Sequence, residues 1–231
     1  MSNSTTIFEN SWSVYQLLIA ENYMHHTELR SLLNSSFKNF STKADALRIL
    51  DLGCGDGEPI CSLLKPYNIS AYIGLDLAQP ALNIAAERFA FIGNGLHLHN
   101  ANMESFEQYL DKTVNIIYSS FAIHHLQDEA KYALWTKIYN NLEKEGRFII
   151  IDVARENRAS RSQYLYDYIN NCINTWNKLS KEGLDLINDH ISNFDFPATK
   201  TFIKESLEEI GFTLIKHEHP DQFHHFWEWT K

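Results

Sequence analysis

This sequence predicts an α/β fold whose mostly parallel sheet is covered by helices on both faces, and three observations predict it. Between residues 46 and 153, short apolar runs alternate five times with stretches of helical period. Those runs are apolar at consecutive positions, as in strands buried between two helix layers rather than strands with one wet face. A glycine-rich turn joins the first strand to the helix that follows it. With 231 residues the chain suits one large domain carrying additions rather than two full domains.

The elements follow in order. Residues 11–40 place Val14, Leu17, Leu18, Tyr23, Leu29, Leu32 and Leu33 at three- and four-residue steps, which predicts a helix. Residues 41–43 read as a short linker. Strands are expected at 46–52, 71–76, 96–99, 114–119 and 146–153, and helices at 59–65, 80–91, 104–111 and 128–143. Asp128 is expected to cap the last of these helices and Gly146 to terminate it. Residues 155–200 are longer than a simple crossover needs. There Leu165, Tyr168, Ile169, Cys172, Ile173, Trp176 and Leu179 form a helical stripe, punctuated by Gly183 before a second helix with Leu184, Ile187 and Ile191. A helix at 201–210 stopped by Gly211, then strands at 212–217 and 224–229, complete the chain. The domain reading is a helical cap at 1–43 and the α/β domain at 44–231, with a helical lid inserted at 155–200.

Twenty Lys and Arg stand against 29 Asp and Glu, a net charge of −9 with His neutral. That field repels a phosphate backbone, so bulk nucleic acid is not an expected partner. No apolar run approaches a bilayer span, so no membrane is expected, and the N-terminus lacks the basic and apolar regions of a secretory signal. Cys54, Cys61 and Cys172 are odd in number and without metal spacing, which fits a reducing cytoplasm. His217, Glu218, His219, His224 and His225 invite a metal reading. Yet 217 and 219 alternate along one strand and 224 and 225 point to opposite faces of the other, so no metal is expected. The oligomeric state is not readable.

The strongest local signal is Ile49-Leu50-Asp51-Leu52-Gly53-Cys54-Gly55-Asp56-Gly57-Glu58-Pro59. It closes an apolar strand and opens a helix, where glycines let backbone amides approach a ligand. A nicotinamide loop wants a small residue where Glu58 stands, and Asp51 would repel a pyrophosphate. An acid there suits a ligand bearing positive charge, which argues against a nicotinamide oxidoreductase.

The loop resembles the first motif of the class I S-adenosylmethionine-dependent methyltransferases, small-molecule type. The resemblance covers about residues 46–231. It implies a Rossmann-like doubly wound sheet of seven strands ending in a C-terminal antiparallel hairpin, with the cofactor S-adenosylmethionine across the carboxyl ends of the first strands. By that resemblance Gly53 and Gly55 let the backbone approach the cofactor, and Asp51 faces its charged amino-acid end. Asp76, nineteen positions after Gly57, accepts the ribose hydroxyls, with Leu77 beside it. Asn102 stands where an adenine-binding Asp is common, its carbonyl oxygen still able to accept or else to cap a turn, with Met103 next to it. Ser119 ends the fourth strand on the cofactor side, and Tyr23 reaches in from the cap.

His124, in Phe121-Ala122-Ile123-His124-His125-Leu126, resembles one of the His-His pair common after the fourth strand in small-molecule members; it is the candidate proton acceptor, or else an anchor of the loop. No Asn-Pro-Pro-Tyr type sequence stands there, which argues against methylation of nucleic-acid bases. Tyr15, His26, Arg155, His190 and Asp195 are candidate acceptor contacts in the additions, set against ordinary packing. The function implied is in-line methyl transfer to a small-molecule N, O, S or C atom. The alternative is a non-catalytic S-adenosylmethionine-binding or partner-binding protein on the same fold.

Overall fold

The apolar runs form a single seven-stranded sheet in the computed structural model, which describes residues 12–41 and 45–231. The expected helix start at Ser11 and the linker at 42–43 lie outside the described residues. Helices α1 (Trp12–Ala20) and α2 (His26–Ser41) precede β1 (Leu47–Leu52), α3 (Glu58–Leu64), β2 (Ile69–Asp76), α4 (Gln79–Arg88), β3 (Leu96–Asn100) and β4 (Val114–Ser120). Then come α5 (Asp128–Asn141), β5 (Leu142–Val153), α6 (Arg161–Thr175), α7 (Lys181–Phe194), α8 (Lys200–Ile210), β6 (Thr213–Glu218) and β7 (His224–Thr230).

The strand order is β3-β2-β1-β4-β5-β7-β6, parallel through β5 and antiparallel on both sides of β7. The doubly wound sheet with its C-terminal hairpin is thus as expected. Chain direction across the sheet reverses between β1 and β4, and the carboxyl ends of those strands diverge there into a crevice.

Period-two alternation splits the apolar residues into two cores. Leu50, Ile117 and Ile150 face Trp135, Ile138 and Trp227 on one side; Ile49, Ile116 and Ile149 face Leu64 and Phe89 on the other. Helix α2 belongs to the second layer: Leu29, Leu33 and Phe37, four residues apart, are no more than 1% exposed. Each such side chain stabilises by about 1.5–3 kcal/mol, so α2 is part of the sheet's own covering. Helix α1 instead joins a third cluster with the insertion, through Leu18, Tyr168, Trp176 and Ile191.

Local chemistry moves several expected boundaries. The single helix across 11–40 breaks at 21–25, where Asn22 and His25 take left-handed φ of 55° and 56°. Asn22 Oδ1 accepts the Thr27 N–H at 2.8 Å, so a residue tolerant of that conformation starts the second helix. Segment 104–111 is a 3-10 turn, Met103–Tyr109, rather than an α-helix. Gln127, not Asp128, occupies the N-cap of α5. Gly146 does not end α5: the helix stops at Asn141, whose Nδ2 donates to the Lys137 carbonyl at 2.9 Å, and Gly146 lies within β5. Gly183 is not a break, since Ser180 caps α7 and accepts the Gly183 N–H at 3.1 Å within its first turn. Gly211, with φ 115°, stops α8 as expected.

Candidate active site

Asp51 ends β1 among apolar neighbours and is 2% exposed. The Tyr72 hydroxyl donates to its Oδ2 at 2.5 Å, while Oδ1 has no hydrogen-bond partner. Burial pushes the carboxyl up to about 7; the Tyr72 hydrogen bond opposes the rise and the charge of Asp76 adds to it. Beyond Asp51 the chain turns through Gly53, Gly55 and Gly57, all with left-handed φ between 52° and 73°. The amides of Gly53 and Cys54 both donate to the Leu75 carbonyl, at 2.8 and 3.0 Å, which holds the loop against the end of β2. Asp76 completes that clamp: Oδ2 accepts the Gly55 N–H and Oδ1 the Ala78 N–H, each at 2.8 Å. Burial raises its pKa, and these two amides work against the rise.

The crevice above this loop is a cavity of about 180 Å³, with Asp51, Gly53, Gly55, Asp76, Leu77 and Met103 among its walls. A second cavity of about 140 Å³ lies beside it, and the two share Tyr15, Phe121, His125 and His190. Val14, Leu18, Met24, Tyr168, Trp176 and Ile187 make the second cavity largely apolar, with His124 and Asp195 on its wall.

His124 is 7% exposed and lies between two carboxylates. Its Nδ1–H donates to Asp152 Oδ1 at 2.5 Å and its backbone N–H to Asp152 Oδ2 at 3.0 Å, while Nε2 lies 3.5 Å from Asp195 Oδ1. Burial works against the charged ring, but the charges of Asp152 and Asp195 and their hydrogen bonds outweigh it and push its pKa up to about 10. Its neighbour His125 donates from Nδ1 to the Phe194 carbonyl at 3.1 Å. Burial, with His124 alongside, pulls His125 down to about 4.

A model of the methyltransferase domain matches residues 49–146, which span the glycine loop, Asp76 and the His-His turn. The chain is an S-adenosylmethionine-dependent methyltransferase similar to those of class I. Phosphoethanolamine N-methyltransferase of Plasmodium falciparum is 23% identical over 228 residues, 95% of this chain and 80% of that protein. Of the similar plant phosphoethanolamine N-methyltransferases, from Arabidopsis thaliana and Triticum aestivum, the chain spans only 21–33% of the length. In fold it resembles the plantazolicin methyltransferase BamL in complex with S-adenosylhomocysteine, with a TM-score of 0.67 at 16% identity over 98% of this chain and 94% of that one.

The cofactor of this methyltransferase is S-adenosylmethionine, and the cleft fits it. The unpartnered Asp51 Oδ1 offers a buried acceptor for a cationic group. A Cβ on Gly55 would meet nothing within 4 Å, so the loop leaves open space against its backbone where a ligand comes close.

The residues expected from sequence divide into three sets. Asp51, Gly53, Gly55, Asp76, Leu77, Asn102, Met103 and Tyr15 line the first cavity, and His190 borders both. Asn102 also caps the 3-10 turn after β3, accepting the Glu104 N–H at 2.9 Å. His124 and Asp195 line the second cavity, but the raised pKa of His124 does not suit a proton acceptor at neutral pH.

The third set lies outside both cavities. Ser119 is fully buried and donates to the Leu52 carbonyl at 2.8 Å; the strand's alternation turns Ser120 to the cleft instead. Tyr23 stacks on Trp176, with ring centroids 5.4 Å apart, and its hydroxyl accepts the Lys178 N–H at 2.9 Å. It fastens the N-terminal turn to the insertion. His26 packs edge-on to Phe121 and lines a separate cavity with Arg30 and Glu58. Arg155 donates to the carbonyls of Pro197 and Ala159, holding the two ends of the insertion together.

Asp152 and His125 were not among the expected site residues. Asp152 had a signal, since an acid closing an apolar strand is what marked Asp51 and Asp76 as well. His125 had none beyond its place next to His124.

Proposed function

We propose that this enzyme transfers the methyl group of S-adenosylmethionine to a small, largely apolar acceptor held in the second cavity. The observation that carries the reading is that this apolar cavity joins the cofactor cleft across His125 and His190. S-adenosylmethionine supplies a methyl group already activated on a sulfonium, so the protein's part is alignment and exclusion of water. In this reading Asp76 accepts the ribose hydroxyls and Asp51 the ammonium, while Leu77 and Met103 flank the adenine. Asn102 offers adenine whatever acceptor capacity its cap leaves. Helices α1, α6 and α7 form the cover over the acceptor; α2 is excluded from it because it packs on the sheet. His124, held as an imidazolium, fixes Asp195, and the edges of His125 and His190 orient the acceptor's heteroatom. The three free, buried cysteines support a reducing compartment, the cytoplasm, as the enzyme's location.

Phosphoethanolamine, named for several relatives, suits this cavity poorly. Among the described residues no Lys or Arg lines either cavity, and Met1–Ser11 contain none. A buried phosphate dianion would meet Asp195 with no cation but His124 beside it. Methyl transfer to phosphoethanolamine is therefore expected to be at least about 100-fold slower, in kcat/KM, than to a matched amine with an apolar body in place of the phosphate. Equal or faster transfer to phosphoethanolamine would sink this choice of acceptor.

Calorimetry with S-adenosylhomocysteine tests the cofactor site. Wild type is expected to bind it and not NAD, and Asp76→Ala to bind on the order of 100-fold more weakly, the effect of losing two charge-assisted hydrogen bonds. Unchanged affinity in Asp76→Ala would remove that residue from the site.

A further inference from the structure

The acceptor-side wall holds more ligand atoms than alignment of a substrate requires. Asp195 is 4% exposed, faces the second cavity, and its Oδ1 has no hydrogen-bond partner. Around that oxygen stand His124 Nε2 at 3.5 Å, His125 Nδ1 at 3.5 Å and His190 Nε2 at 3.9 Å. Ligand atoms of His124, His125 and Asp195 all lie within 4.8 Å of one another.

These gaps are long for hydrogen bonds. They are close to the edges of a coordination tetrahedron, which at metal–ligand distances of about 2.0–2.1 Å measure about 3.3–3.4 Å. The support behind the cluster is also that of a metal centre. His124 donates its other ring N–H to Asp152 at 2.5 Å, the carboxylate–histidine arrangement that fixes a ligating ring. The supporting backbone is tied down as well: Lys131 donates to the carbonyls of Leu126 and Phe196, and Phe196 N–H to the His124 carbonyl, so the His-His turn and the end of α7 are bound together.

We propose that His124, His125 and Asp195 bind a divalent transition-metal ion, with Zn²⁺ the best match to two imidazoles and one carboxylate, and with His190 as the fourth group at the rim. To ligate, His125 shifts the Nδ1 proton it now donates to the Phe194 carbonyl onto Nε2, and the His124 imidazolium releases its Nε2 proton to solvent, so that both rings bind as neutral imidazoles. His190, at the rim shared by the two cavities, is the exchangeable fourth group, and the heteroatom of the acceptor would take its place on the ion. That role rests on the acceptor-pocket reading, whereas occupancy of the site does not.

The test is elemental analysis of tag-free protein, followed by titration of metal-depleted protein with Zn²⁺ and with Co²⁺ as a visible-absorbing substitute. S-adenosylhomocysteine binding is measured on the same samples. The expected result is one equivalent of metal per chain, with cobalt d–d absorption. Asp195→Asn, which lies off the cofactor cavity, and His125→Gln are each expected to weaken uptake at least ten-fold; retained S-adenosylhomocysteine binding in Asp195→Asn and an unchanged circular-dichroism spectrum in His125→Gln keep loss of metal distinct from loss of fold. Protein that binds S-adenosylhomocysteine but takes up neither metal overturns the site and leaves the methyltransferase reading standing. Uptake undiminished in both variants also overturns it, by placing the metal elsewhere, such as the His217–His219–His225 hairpin.

Discussion

Alanine at Gly53 is expected to lower the melting temperature of the cofactor-free enzyme by roughly 5–15 °C and to abolish measurable S-adenosylhomocysteine binding, whereas alanine at Gly55 should cost only about 2–5 °C. Both glycines have left-handed φ, +73° and +52°, which costs any other L-residue about 1–2 kcal/mol. They differ in what surrounds them. A Cβ on Gly53 would lie 2.3 Å from the Ala122 Cβ, so the loop or the turn carrying His124 and His125 must shift, adding about 1–3 kcal/mol of overpacking. A Cβ on Gly55 meets no protein atom within 4 Å and instead occupies open space in the cleft. Its main effect should fall on binding, weakening S-adenosylhomocysteine at least about ten-fold. Scanning calorimetry and titration on the two variants separate these outcomes. Equal melting losses with unequal binding losses would contradict the steric account of Gly53.

The sheet and the cofactor end of the site were legible because their signals are local. An apolar run, an acid at its end and a glycine turn after it are each dictated by short-range chemistry, and β1, β2 and β4 carry them in plain order. The acceptor end depends on contacts that spacing does not encode. Tyr23 was expected at the cofactor and is instead stacked on Trp176, 153 positions away in the chain. Ser119 was expected in the cleft and Ser120 is there, because one residue of register turns a strand's side chains to the other face. The break at Asn22 was hidden by a run of leucines whose period continues across it, although α1 and α2 pack on different partners. At His124 the residue type was readable and its charge was not. Only the placement of Asp152 and Asp195 on opposite edges of the ring makes it an imidazolium.

The affinity for S-adenosylhomocysteine is expected to rise with pH up to about 7 and then level, and Asp51 is the group responsible. Its carboxyl titrates near 7 in the cofactor-free cleft because burial disfavours the charged form. Below that pH the neutral acid must lose its proton to meet an ammonium group. Binding then releases a proton, and affinity climbs roughly ten-fold per pH unit. Calorimetry in buffers of different ionisation enthalpy reads the proton directly. The stability consequence has the opposite direction. A folded pKa raised above the unfolded value of about 3.9 means that Asp51 favours the fold most at low pH, and that this contribution is lost as pH rises through about 7. The cofactor-free enzyme should therefore lose stability from this group where its affinity is greatest, and the ligand should restore it. Asp51→Asn mimics the neutral acid: weaker binding, flat between about pH 5 and 8, with no proton released. Tyr72→Phe removes the hydrogen bond that holds the carboxyl down, so it should move the whole binding profile to higher pH. If the profile of Tyr72→Phe overlays that of wild type, a group other than Asp51 sets the pH dependence. The raised pKa is then the signature of a carboxylate that the fold leaves half-satisfied, with one oxygen bonded to Tyr72 and the other open to a cation.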